Sequence, residues 1–339
     1  MSFTTNLTHV INRKNLSQEQ AADMLLDIFS GTITPSQTGA FMAALATKGE
    51  TFEELAGAAR AIRRKAARIQ TVSKKVIDTC GTGGDATGSF NISTTTAFVV
   101  AGAGVTVAKH GNRSISSRCG SADVLEALGM NLNIDPEIVE EAVNEIGIGF
   151  MFAPVFHGAM KHAAQARKEC GIRSIFNMLG PLTNPAAASC QILGVYAPAL
   201  TEMFARALHL LGVEKAFVVH GHDGMDEITT TDLTRVSELS DGRIKTYDLD
   251  PLTYFDEYAD PNDLAGGDAR TNADILTAVL SGGKGPRRDI VLINAGAGLV
   301  AADVADDIHQ GIQAAAEAID SGRAKEKLTA LIQFTRENA

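Results

Sequence analysis

Val76-Ile77-Asp78, then Gly81-Thr82-Gly83-Gly84-Asp85, then the run from Ile92 to Ala101 read as strand, glycine-rich loop and helix in immediate succession. A short apolar strand feeding a helix through a tight loop is the repeating unit of α/β folds. The three glycines let the backbone turn sharply and bring N–H groups close to an anion. Gly88, Ser89, Asn91, Ser93 and Thr94 add small residues and hydroxyl donors at the helix N-terminus, where the helix dipole favours negative charge. No Gly-Lys-Ser/Thr follows, so the stretch is not a P-loop, and it lacks the GxGxxG spacing of dinucleotide-binding turns.

Upstream, the first seventy or so residues read as helices alone. Ser17 caps a run with Ala21, Met24, Leu25 and Ile28 at helical spacing, stopped by Gly31. A second run starts at Pro35 and ends near Gly49. A third begins at Thr51, with Glu53 and Glu54 in its first turn, and continues to about Arg68. The cluster Arg60, Arg63, Arg64, Lys65 and Arg68 could draw phosphates, but it reads first as a solvated helix end that complements the dipole.

Downstream, Val105–Ala108 is a short buried strand, Ser121 opens a helix ending at Gly129, and Asp135-Pro136 opens another. Cys190–Tyr196, Ala216–His220 and Asp289–Asn294 are further strand candidates. A helix over Thr201–Leu211 is closed by Gly212. Asp241-Gly242 between Val236–Leu239 and Ile244–Tyr247 predicts a hairpin. The last forty residues read as two Ala-rich helices.

The chain has 339 residues, 45% hydrophobic and 21% charged, which fits a folded protein of about two domains at roughly 150 residues each. The formal net charge of −10 weighs against general affinity for nucleic acid or anionic membranes. An anionic substrate must then be captured by focused donors or metal ions. Cys80, Cys119, Cys170 and Cys190 stand far apart without zinc spacing, which predicts free thiols and a cytoplasmic protein. The N-terminus shows no basic patch followed by an apolar run, which predicts no signal peptide. The nearly apolar stretch from Ala97 to Ala108 is too short to span a bilayer.

Two further segments carry chemistry. Lys109-His110-Gly111-Asn112-Arg113-Ser114-Ile115-Ser116-Ser117 follows the Val105 strand with two cations and three serines, and Ser121 continues the theme. Loops after the strands of an α/β sheet share one side, so both glycine-bearing loops could face one cleft. Asp226-Glu227 follows the turn Gly221 to Gly224. Alone, such a pair is either a solvated surface pair or a cation holder, since adjacent carboxylates near a polyphosphate repel it unless a divalent cation lies between.

Taken together, Gly81–Asp85, Asn91–Thr94, Lys109–Arg113, Gly120–Gly129, Phe176–Pro185 and Asp223–Glu227 make the chain resemble the anthranilate phosphoribosyltransferases over nearly its whole length. Lys48-Gly49-Glu50-Thr51 and Asn294-Ala295-Gly296-Ala297-Gly298 match as well. Cys80 and the run Thr229–Thr231 depart from the family's usual form without removing a functional group.

The resemblance implies a small all-helical domain beside a larger α/β domain with a central, mainly parallel sheet. Residues 1–72, with roughly 165–188 returning, would form the helical domain. Residues 73–164 and 189–339 would form the α/β domain. The implied reaction moves the phosphoribosyl group of phosphoribosyl pyrophosphate (PRPP) to the amine of anthranilate, a step of tryptophan biosynthesis, in a homodimer. Gly81, Gly84, Asp85, Ser89, Asn91, Ile92, Ser93 and Thr94 would hold PRPP, with Lys109, His110, Gly111, Asn112, Arg113, Ser114, Ile115, Ser116, Ser117 and Ser121 closing over the phosphates. Ser93, Asp226 and Glu227 would bind Mg²⁺, two ions per monomer. Gly81, Asn112 and an arginine would contact anthranilate. By the family's spacing that arginine is Arg167, not Arg173, and a guanidinium suits a carboxylate. His110, His157 and Pro181 would line the aromatic's path. The chemistry needs neither a nucleophilic residue nor an essential base.

Two other functions are weighed against this one. A pyrimidine nucleoside phosphorylase would share the architecture, but the Asp226-Glu227 pair and the Asn177–Pro181 run argue against it. A nucleic-acid-binding relative would need a basic face and degraded loops.

Overall fold

The computed structural model describes residues 2–85, 87–114 and 119–338. Four helices come first: α1 (Phe3–Ile11), α2 (Gln18–Phe29), α3 (Pro35–Lys48) and α4 (Phe52–Lys65). Helices α2, α3 and α4 each start with a capping box, Ser17 with Gln20, Thr34 with Gln37 and Thr51 with Glu54. Each box satisfies two otherwise orphaned N–H groups. Glu54 goes further. Fully buried, it also accepts from the Leu16 N–H and from the Lys48 ammonium, both at 2.9 Å. The Lys48–Thr51 motif is therefore a structural knot, with a buried carboxylate supplied with the partners it needs.

The sheet units follow. β1 (Val76–Gly81), α5 (Ile92–Gly102), β2 (Thr106–Gly111), α6 (Ser121–Ala127), α7 (Pro136–Glu145), β3 (Ile148–Phe152) and α8 (Ala153–Phe156) lead to α9 (Lys161–Cys170) and α10 (Ile175–Leu179). Then come β4 (Cys190–Gly194), α11 (Leu200–Leu210), β5 (Lys215–Gly221), the hairpin β6 (Thr234–Ser240) and β7 (Arg243–Leu249), and the helices α12 (Ala269–Leu280), α13 (Pro286–Ala301), α14 (Ile308–Asp320) and α15 (Arg323–Glu337). At the hairpin, Asp241 and Gly242 both take positive φ (51° and 71°), the backbone that suits a two-residue connection.

Among the described residues the seven strands run in the order β3-β2-β1-β4-β5-β6-β7, parallel from β3 to β5 and antiparallel through β6 and β7. The chain winds outward from β1 to β2 and β3, then returns to place β4 on the other side of β1. That reversal is a switch point, where the strand C-termini leave a crevice. Alternate residues serve two cores. Ile77, Ile192 and Phe217 join the core under α5 and α13, whereas Leu193 and Val218 join a core shared with α2, α3, α4 and α11. Helix α9 packs on α2 and α3, and α10 on α3 and α4. No helix among the described residues is long and apolar enough to cross a membrane.

The structure corrects three readings. In the basic cluster at the end of α4, expected to be solvated, Arg60 and Arg63 are half-buried and donate to the Leu210 and Leu182 carbonyls, at 2.8 Å each. Asp289–Asn294, expected as a strand, lies inside α13, which begins with Pro286 at its first position. The run Ile290-Val291-Leu292-Ile293 is buried almost throughout, and a helix apolar on all sides has the same pattern as a buried strand. Strand β2 also ends at Gly111 instead of Ala108. Lys109 and His110 thus belong to a strand and not to an open loop.

Candidate active site

The C-terminal ends of β1, β2, β4 and β5 converge on the switch point. Gly81 and Gly194 are register partners there, and a side chain at either would meet the acidic segment. A Cβ on Gly194 would lie 1.5 Å from the Asp226 carbonyl oxygen, and one on Gly81 would lie 2.3 Å from the Asp226 Oδ2. The acidic segment after β5 is thus pressed onto the gap between β1 and β4.

From this position the carboxylates reach the loop amides. The Gly83 N–H donates to Asp226 Oδ2 at 2.9 Å, and the Ser93 N–H, in the first turn of α5, donates to Glu227 Oε1 at 3.1 Å. Asn294 of α13 holds the segment from behind, accepting from the Ile228 N–H at 3.0 Å and donating to the Ile228 carbonyl at 2.8 Å. This accounts for the Asn294–Gly298 motif, whose Gly296 also admits α14 at close range: a Cβ on Gly311 would meet the Gly296 carbonyl at 2.4 Å.

Burial and the neighbouring charge of Asp85 push the Asp226 carboxyl above its usual range. Burial and Asp226 push Glu227 well up. The cation facing them is Lys109, buried at 3% exposure, whose ammonium donates to the Thr79 carbonyl. Burial lowers the Lys109 pKa, opposed first by Asp78 and more weakly by Glu227 and Asp226. Three carboxylates therefore share the cleft with less positive charge than they need. Oxygen donors with a deficit of cation suit a hard divalent ion. Among the described residues no group of three His, Cys, Asp or Glu side chains forms a metal cluster. Ser93, whose N–H donates to Glu227, adds a hydroxyl-bearing residue to this segment.

The remaining expected residues divide. Thr94 is 1% exposed and its hydroxyl has no partner among the described residues, as befits a donor kept for a ligand. Ser89 forms a bridge with Ala265 that steadies the far end of the glycine loop. Asn91 is occupied: its amide donates to the Cys119 carbonyl at 3.3 Å and accepts from Asn272 at 2.9 Å. Ile92 is core, and its N–H donates to the Phe90 carbonyl at 2.7 Å. Asp85 accepts from the Thr87 hydroxyl at 2.5 Å.

In the second segment, Gly111 gives room for the Ser121 hydroxyl, which a Cβ would meet at 2.3 Å. Ser121 donates to the Asn112 carbonyl at 3.3 Å. Arg113 is not free for phosphates in this arrangement. It pairs with Asp123 at 3.0 Å and Glu126 at 2.7 Å. The Ser114 N–H donates to Asp123 at 3.1 Å. Ile115, Ser116 and Ser117 lie outside the described residues.

Arg167, on α9, is half-buried and lies 5.6 Å from the centre of the Phe176 ring. It has no carboxylate or hydrogen-bond partner among the described residues, and burial lowers its pKa. A guanidinium remains charged regardless, so this one lacks an anion. Arg173 instead donates to the Gly84 carbonyl at 3.2 Å. His110 and His157 are buried edge to face, their rings 4.9 Å apart, and Pro181 is buried near them. Asp78, Thr79, Asn184, Asn272 and Tyr196 support the site and were not singled out from the sequence. Asp78 receives the His110 N–H at 3.1 Å and the Asn184 amide at 2.7 Å.

A groove at the opposite, N-terminal end of the strands is lined by Lys75, Glu214, Lys215 and Asp303. Its cations are already paired, Lys75 with Glu214 and Asp303 at 2.7 Å each.

A helical bundle beside an α/β unit with an anion-and-cation cleft at the strand ends defines a class of glycosyl transferases. Residues 73–325 match the model of the glycosyl transferase family a/b domain, and residues 5–66 match that of its helical bundle domain. The chain is 65% identical to an anthranilate phosphoribosyltransferase of Desulfosudis oleivorans, covering 99% of each. The crystal structure of an anthranilate phosphoribosyltransferase from Thermus thermophilus superposes with a TM-score of 0.93 at 41% identity, covering 98% of this chain and 99% of that one. A Saccharomyces cerevisiae anthranilate phosphoribosyltransferase in complex with PRPP and Mg superposes with a TM-score of 0.90 at 29% identity, over 99% and 98% of the two chains. The chain belongs to the anthranilate phosphoribosyltransferase family.

Proposed function

We propose that this protein transfers the 5-phosphoribosyl group of PRPP to the amine of anthranilate, releasing pyrophosphate. The observation that carries the reading is the convergence of Gly83, Ser93, Asp226 and Glu227, linked by hydrogen bonds of 2.9 and 3.1 Å, with the charge of Lys109 acting on both carboxylates.

The loop from Gly81 and Gly84 through Asp85 to Ser89 holds the donor. The first turn of α5 (Asn91, Ile92, Ser93, Thr94) adds its amides and the free Thr94 hydroxyl. Lys109, His110, Gly111, Asn112, Arg113, Ser114 and Ser121, with Ile115, Ser116 and Ser117, form the second wall. Their part in phosphate contact requires Arg113 to leave its acidic partners. Ser93, Asp226 and Glu227 fit Mg²⁺, two ions per monomer in this reading, and bound Mg²⁺ neutralises the departing pyrophosphate. Asp226 and Glu227 meanwhile rest on the amides of Gly83 and Ser93, which are the donors an anion would use.

Arg167 takes the anthranilate carboxylate, and Gly81, Asn112 and Pro181 border its ring. His110 and His157 line its path as neutral groups, since burial lowers their pKa values to about 3 and about 4. An arylamine is neutral at pH 7 and carries its own lone pair. The chain's residues therefore need to align it with C1 of the ribose and to exclude water, with no nucleophile or base assigned. We read the chain as a helical unit (1–72, with about 165–188) beside an α/β unit (73–164 and 189–339). Its working form in this reading is a homodimer in the cytoplasm.

The test is loss of anthranilate fluorescence on adding PRPP. Turnover with Mg²⁺ and none after chelation is expected. Absence of turnover with Mg²⁺, or phosphorolysis of thymidine, overturns the reading.

A further inference from the structure

Arg173 has no role in the reaction as described above. It follows Gly171, whose left-handed backbone (φ 60°) ends α9, and precedes Ser174, the cap of α10. Its guanidinium lies 4.1 Å from the centre of the Tyr196 ring, just beyond β4, and donates to the Gly84 carbonyl at 3.2 Å. The Tyr196 N–H donates to the Thr82 hydroxyl at 3.1 Å, and the Thr82 N–H donates to the Gly194 carbonyl at 2.9 Å. Three chain segments thus meet at one side chain: the glycine loop, the end of β4 and the α9–α10 connection. No carboxylate among the described residues pairs with Arg173, although it is exposed.

We infer that Arg173, seated on Tyr196, is a positioning residue that clasps the phosphate-binding loop and ties it to the segment bearing Arg167. The inference rests on the proposed transferase reaction. Gly83 and Gly84 both have positive φ (64° and 80°) and no side chains of their own to order them. An unheld loop of this kind must lose its freedom when the donor binds, which weakens binding. The guanidinium supplies the order beforehand. Because the C=O and N–H of a trans peptide point in opposite directions, fixing the Gly84 carbonyl on Arg173 also turns the Asp85 N–H to the other side of the loop. Stacking on Tyr196 fixes the plane of the guanidinium and leaves its edge to the carbonyl. Arg167, six residues earlier, lies over the Phe176 ring but makes no side-chain hydrogen bond among the described residues, and stays available for a carboxylate.

The experiment compares Arg173→Ala, Arg173→Lys, Tyr196→Ala, Tyr196→Phe and the double alanine variant in steady state, with thermal unfolding alongside. Arg173→Ala is expected to raise the KM for PRPP about tenfold, the size of one lost charged hydrogen bond. The anthranilate KM and the unfolding midpoint should stay as in wild type. Tyr196→Ala should do the same, the double variant should be no worse than either single one, and Tyr196→Phe and Arg173→Lys should recover most of the loss. A rise in anthranilate KM with PRPP KM unchanged would make Arg173 a direct carboxylate ligand and overturn the clasp. So would additive single effects, or no effect on PRPP. Failure of the underlying reading appears differently, as an inactive wild type. If Arg173→Ala does not fold, the two Tyr196 variants carry the same comparison.

Discussion

His110 and His157 show how much a single hydrogen bond decides at the scale of the residue. The His110 Nδ1 lies 3.1 Å from the Gly180 carbonyl, which can only accept, so this nitrogen carries the proton. Its Nε2 must then accept from the Nε2–H of His157, also at 3.1 Å. The His157 Nδ1 is left as a buried lone pair without a partner among the described residues. Neither ring can gain a proton cheaply, and their pKa values fall to about 3 and about 4. In the unfolded chain both protonate near pH 6.5. The unfolded state therefore binds more protons between these values, so this contribution to stability is complete above about pH 6.5 and is lost as pH falls through the window towards 4. The slope is up to about 1.4 kcal/mol per pH unit for each histidine. Urea unfolding at pH 7 and pH 5 should show a smaller drop in His157→Gln than in wild type, and an equal drop would refute the assignment. Other residues were legible to different degrees. Asp226 and Glu227 could be singled out as a candidate cation pair by their place after a glycine turn, whereas Ser93 read as an anion donor and entered as a metal ligand only through the family resemblance. The inward turn of Lys109 could not be seen, because which way a strand-end side chain points depends on register. The same holds for Arg113, whose partners Asp123 and Glu126 lie on the helix it faces, and for the bond from Arg173 to Gly84.

Among the elements, β1 and β4 matter most, since the site lies over the gap between their ends. The Gly194 Cβ position, 1.5 Å from the Asp226 carbonyl, leaves no room for a methyl group. Gly194→Ala should therefore push the acidic segment off the gap and cost roughly 1–3 kcal/mol in urea unfolding. It should also remove most turnover, since Asp226 would lose its place beside Gly83. Wild-type kinetics in that variant would show that the close approach is not needed. Glycine loops after strands could be read from the sequence because tight turns demand particular residues. The identity of α13 could not. Its apolar run carries no periodicity that separates a buried helix from a buried strand, and the signal that marks the helix is its start at Gly285-Pro286. Strand β3, and helices α1 and α12, also went unread. The run Ile148–Phe152 is buried along its whole length, so it lacks the alternation that marks a half-exposed strand.

Across the whole molecule, a chain of net charge −10 must bind a polyanion against its own field. It does so in this account by concentrating donors at one crevice, and the two-core layering of the sheet, with helices on both faces, brings those donors together. The α/β architecture and the helical N-terminus were legible from the order of patterns along the chain. Continuity of the N-terminal helices with one face of the sheet was not, because that packing joins residues far apart in sequence, such as Arg60 and Leu210, which bond at 2.8 Å. The central claim is that Asp226 and Glu227 hold the cation that lets the crevice accept PRPP. Calorimetric titration of PRPP into wild type and into the Asp226→Ala/Glu227→Ala variant, with and without Mg²⁺, tests it directly, with circular dichroism to verify folding. The expected result is saturable binding to wild type only with Mg²⁺, no Mg²⁺-dependent gain in the folded variant, and turnover lower there by about a thousandfold. A folded variant that binds PRPP with Mg²⁺ as tightly as wild type, and turns over at the same rate, would contradict it.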